Sequence, residues 1–125
     1  MRPAIESVTI LADGRARVAG PLGAGPGDGP AYFWVRVALQ EGPDEDGPEA
    51  VGADDMTKAQ VADAAADAGG GMWWATVPVR RGPFEKGNVF VAAWALVYNE
   101  PEERLFEIFW YDEEVPLTVE EETRS

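Results

Sequence analysis

The chain contains no cysteine and no histidine. The first absence excludes disulfides, thiolate metal sites and cysteine nucleophiles. Together the two absences remove the commonest nucleophiles and general bases that work at neutral pH. Serine is almost as scarce, since Ser7 and Ser125 stand alone and neither lies in a nucleophile-elbow pattern. Positive charge is sparse too: ten basic against 23 acidic residues leave a net charge of -13, which repels phosphate backbones instead of neutralising them. Neither nucleic acid nor a membrane is therefore expected as a partner. No stretch of about 18 apolar residues occurs, and no charged start leads into an apolar run. The expectation is a soluble protein without signal peptide or transmembrane segment, cytoplasmic or particle-associated, although the lack of cysteine leaves the compartment open.

What is present suits one folded domain over residues 1–125, with 46% hydrophobic residues and five Trp. Gly and Pro fall between runs that alternate apolar and polar side chains, as strands do. Residues 5–11 read as a first strand with Val8 and Ile10 on one side, and Asp13-Gly14 suits the positive φ of a tight hairpin turn before a second strand at 15–20. Residues 20–30 hold too much Gly and Pro for any ladder and read as an exposed loop, without the lysine of a phosphate-binding loop. Strict alternation over 31–40 sends Phe33, Val35, Val37 and Leu39 inward. The acidic, Pro-punctuated stretch 41–55 reads as a second exposed connection, and Asp54 or Asp55 as the N-cap of a short helix over 56–68. Residues 72–80 alternate Trp73, Ala75, Val77 and Val79 inward, with Pro78 marking an edge strand. Residues 88–98 are apolar on both parities and belong at a sheet's centre. After a turn at Pro101, residues 104–111 form another strand, continued past a bulge near Glu113 as 115–119, and 120–125 read as a frayed tail.

Six or seven antiparallel strands with one short helix predict a mainly β fold, a sandwich or small barrel. The inward Trp73-x-Ala75-x-Val77 strand, followed by Phe84, Gly87 and an apolar strand, resembles bacterial immunoglobulin-like and fibronectin-like domains over residues 72–98. That resemblance implies an immunoglobulin-like β-sandwich, here without the cysteine pair, and no function is carried over from it.

Adjacent aromatic residues on a strand cannot share one core, so Phe33-Trp34, Trp73-Trp74 and Phe109-Trp110-Tyr111 each force a ring outward. In a sandwich the strands at 31–40, 88–98 and 104–111 are neighbours, and their outer faces merge into one patch: Tyr32, Trp34, Arg36, one parity of the central strand (Trp94 among it), Glu107, Phe109 and Tyr111. Such residue types dominate interface energetics, and monomers seldom leave so large an apolar area open. Arg36 and Glu107 are expected to pair across it. The cover is either another chain or ligand, or the chain itself, through the 56–68 helix or the long loop before it.

The reading that follows is a non-enzymatic interaction or structural protein, a homo-oligomer or a subunit of a larger assembly such as a phage or other particle. A carbohydrate-binding module, with rings stacked on sugars, is the alternative. A glycoside-type enzyme using two carboxylates is a third, but 23 acidic residues guarantee close pairs by chance. Asp44-Glu45-Asp46 with Asp54-Asp55 offers oxygen ligands, yet the alternating cation loop with its distal Glu is missing, so no metal and no cofactor are expected.

Overall fold

A computed structural model describes residues 3–23, 30–41, 47–56, 72–84, 87–99 and 103–119. Among these the chain is mainly β and contains no helix. Eight strands form: β1 (Ser7–Ile10), β2 (Ala16–Pro21), β3 (Pro30–Gln40), β4 (Glu49–Met56), β5 (Met72–Val77), β6 (Val79–Arg81), β7 (Asn88–Asn99) and β8 (Arg104–Val119). They join in one sheet of order β5-β2-β1-β8-β7-β3-β4-β6. The two ends of that order are consecutive in the chain, separated by Pro78 alone, so the sheet curls until its edges meet and is nearly a barrel. All pairings are antiparallel except β1 with β8, where Val8 lies beside Leu117 in parallel register.

The hairpin at Asp13-Gly14 forms because glycine takes the left-handed φ of +89° while the Asp13 carboxylate accepts the Arg15 amide at 2.9 Å and its Nε at 2.8 Å. Ahead of β1, the chain runs beside β2, with the Ala4 amide donating to Pro21 O and the Glu6 amide to Ala19 O. Here Gly20 is required, since an added Cβ would collide with the Ala4 carbonyl oxygen. That same oxygen accepts the indole N–H of Trp73 at 2.7 Å, which satisfies the one polar atom of the largest fully buried side chain.

The core is made by the inward parity of every long strand. Phe33, Val35, Val37 and Leu39 of β3 meet Val89, Val91, Ala93, Ala95 and Val97 of β7, with Val18, Trp73, Ala75 and Val77 opposite. Trp110 of β8 packs edge-on against Trp73, centroids 5.2 Å apart at 89°. Its Nε1 is buried with no hydrogen-bond partner among the described residues, so the ring contributes through packing and not through that donor.

Three expectations need correction. Residues 49–55 are a strand and not an exposed connection, and Met56 ends that strand instead of opening a helix. The pattern was hidden because β4's inward positions hold Ala50, Gly52 and Asp54, too small or too polar to show as an apolar stripe. The small residues are needed: an added Cβ at Gly52 would come within 3.0 Å of Val77 and 3.1 Å of Pro78, where β4 presses on the far edge of the sheet. Second, the 72–80 run is two strands, because Pro78 breaks it and sends β5 to β2 and β6 to β4. Third, the strands number eight and include a parallel pair, beyond the six or seven antiparallel ones expected. The remaining helix positions 57–68, the acidic loop residues Asp44 to Asp46, and the tail 120–125 lie outside the described residues.

The seam between β4 and β5 lacks a regular ladder. Instead the Asp54 carboxylate reaches across and accepts the Thr76 amide at 3.1 Å, with its other oxygen on the Asp55 amide at 2.9 Å. At the other end of β4, Glu49 takes the guanidinium of Arg81 at 3.0 Å and so holds β6 in place.

Candidate interaction surface

Side chains that alternate out of the barrel from β4, β3, β7 and β8 form a grid whose rows are fixed by register. One row runs Val51, Ala38, Ala92, Tyr111; the next Ala53, Arg36, Trp94, Phe109; the next Asp55, Trp34, Leu96, Glu107. The central strand, apolar on both parities, buries its valines and turns Phe90, Trp94, Leu96 and Tyr98 outward, where they are half-buried by their neighbours. The expected juxtaposition of Trp34, Arg36, Trp94, Glu107, Phe109 and Tyr111 on one face is what the sheet order produces. Tyr32 sits on the same parity opposite Tyr98; its side chain lies outside the described residues.

The rings hold one another in place. Trp34 meets Trp94 edge to face at 5.2 Å and 86°, Phe90 lies 6.1 Å from Tyr111, and Phe109 lies 6.2 Å from Tyr111. On the solvent side these contacts end: Phe109 is 64% exposed and Tyr111 61%. The Trp94 indole donates to Glu107 Oε2 at 3.2 Å, which orients both groups. The anticipated Arg36–Glu107 pair does not form. β7 intervenes between their strands, placing the two backbones about 10 Å apart laterally, and the carboxylate is taken by the nearer indole. Arg36 is exposed and makes no ion pair or hydrogen bond among the described residues.

Where Ala38 and Ala92 face each other the grid has no large side chain, and a shallow groove of about 220 Å³ opens between them, Val51, Arg36, Trp94 and Phe109. Sequence reasoning missed this hollow. The signal was available, since an alanine on each of two neighbouring strands at the same register leaves a gap between aromatic neighbours, but the pairing register had to be known first.

Among the described residues the surface is mostly apolar, with the Arg36 guanidinium, the indole-bound Glu107 carboxylate and, at its β4 edge, the Asp55 carboxylate. No three acidic groups among the described residues gather in a metal-binding arrangement. Trp34 and Trp94 are perpendicular and so present no single flat ring platform, while Phe90 and Phe109 are tilted by 40° and 44° to Tyr111. On the opposite side, Trp74 is covered by Arg17, whose guanidinium carbon sits 5.6 Å from the ring centroid. No described helix is long and apolar enough to cross a membrane. Set against family models, curated proteins and solved structures, the chain matches none.

Proposed function

We propose that this protein is a non-enzymatic interaction module of immunoglobulin-like plan, which docks the outer face of β3, β7 and β8 on another protein surface as a subunit of a larger assembly. The observation that carries this reading is the contiguous row of outward rings ending in Phe109 and Tyr111, both about three-fifths exposed. Leaving such rings in water forgoes about 25 cal/mol for each Å² that a partner could cover. The immunoglobulin-like part is supported by the strand neighbours: β8-β7-β3-β4 and β1-β2-β5 correspond to the two sheets of that plan, with the last strand also beside the first.

Benzoylphenylalanine placed at position 109 and photolysed in extracts of the native cell tests the docking. One discrete cross-linked product, absent when the probe stands instead at Thr118 beyond the patch, is the expected outcome. Equal, diffuse labelling from both positions would overturn the reading.

A further inference from the structure

Building on that docking reading, and resting on it, we infer that the surface seated on this face is a second copy of the same chain, related by a two-fold axis. A closed two-fold pair requires one patch to carry both halves of every contact. This patch does so twice. It has a knob, Phe109, and a hollow floored by Ala38 and Ala92. It also has a cation without a partner among the described residues, Arg36, and an anion, Glu107, two strands away.

The two complementarities need the same axis, and the register shows that they share one. Strands are about 4.8 Å apart and successive outward residues about 6.8 Å apart along a strand. On that grid an axis lying in the plane between the copies and passing close to Trp94 carries Phe109 of each copy over the other's hollow. The same rotation brings Arg36 of each copy over the stretch between Trp94 and Leu96 of the other, within side-chain reach of Glu107. Trp94 then lies against its own mate, at the centre, where interface anchors concentrate. Four strands by the four outward rows from Phe90 to Leu96 cover roughly 500 Å². Two such faces total roughly 1,000 Å², the lower bound for a specific interface, which fits a weak, reversible pair.

Charge gives the dimer a signature. Each copy carries a net charge of -13. Approach is therefore opposed at long range, and added salt screens that repulsion more than it weakens the two symmetry-related ion pairs at the interface. Self-association tightens as salt rises, whereas docking on a basic partner loosens.

Sedimentation equilibrium of the full chain between about 1 and 300 µM, at low and high salt, reads this out. The expected result is a monomer–dimer equilibrium that tightens several-fold with salt. Ala38→Trp, which fills the hollow, and Phe109→Asp, which removes the knob, each weaken it at least tenfold while leaving the far-UV spectrum unchanged. Arg36→Glu also weakens it, and the exchange Arg36→Glu with Glu107→Arg restores part of the loss. A chain that stays monomeric throughout, or a dimer indifferent to Phe109→Asp, overturns the second-copy inference. If the chain is monomeric yet the cross-link at position 109 yields one product that is not twice the 13.5 kDa chain mass, this inference falls and the docking reading stands. Without any discrete product both fall.

Discussion

Neighbouring positions 109 and 110 on β8 offer the sharpest test of the face assignment, because one residue of register separates the exterior from the core. Phe109 is 64% exposed, so little more than a third of its burial is at stake in the monomer. Full burial of a Phe contributes about 1.5–3 kcal/mol, which makes Phe109→Ala cost about 0.5–1 kcal/mol. Trp110 points the other way, edge-on to Trp73 at 5.2 Å and 6.4 Å from Phe33. Trp→Ala at a packed site costs about 3–5 kcal/mol, and the partial exposure of Trp110 places it near the lower figure. The gap between the two variants is thus about 2 kcal/mol. Urea unfolding followed by intrinsic fluorescence, at submicromolar chain so that association contributes nothing, measures it. Equal losses, or a larger loss for Phe109→Ala, would mean that β8 is shifted by one residue and that the outward patch is not the one described.

Gly20→Ala drives a Cβ into the Ala4 carbonyl and breaks its bond to the Trp73 indole; a loss of at least about 2 kcal/mol is expected by chemical denaturation, and a neutral effect would contradict the close approach. Asp54→Ala removes the acceptor that joins the two edges of the barrel, and the Thr76 amide should then exchange at least tenfold faster with stability down by about 1–2 kcal/mol; unchanged protection at Thr76 would show that the seam closes by other means. The Asp13 carboxyl is held below the usual aspartate range, first by the Arg15 amide and then by the Arg15 side chain. Because the folded form resists protonation, the turn's contribution is complete above the unfolded pKa and is lost as pH falls through the folded one. An NMR titration placing the Asp13 midpoint at or above that of a free aspartate would refute this.

The long strands were legible because their inward positions carry large side chains at period two, as in Phe33, Val35, Val37 and Leu39 or in Trp73, Ala75 and Val77. From them the neighbour relation of three strands followed, and with it the position of Trp34, Arg36, Phe109 and Tyr111 on one surface. β4 was not legible. Its core contribution is Ala50 and a glycine whose value lies in what it lets Val77 and Pro78 approach, and its Asp54 acts through a hydrogen bond to a strand far away in sequence. Closure of the sheet was equally hidden, since it depends on Pro78 dividing one apparent strand between the two edges. Within the site, residue types were readable but pairings were not. Arg36 and Glu107 were expected to pair across the central strand, but Trp94 on that strand lies nearer and takes the carboxylate.

The claim that the outer face of β3, β7 and β8 is an interface is tested most directly by hydroxyl-radical footprinting of the rings, read by mass spectrometry in dilute purified chain and in the native assembly. Phe109 and Tyr111 should label readily in the dilute chain, in keeping with their 64% and 61% exposure, and should be protected severalfold in the assembly, while Met72 on the far edge, 40% exposed, should label equally in both. Unchanged labelling of Phe109 and Tyr111 between the two states, or protection confined to Met72, would contradict the account.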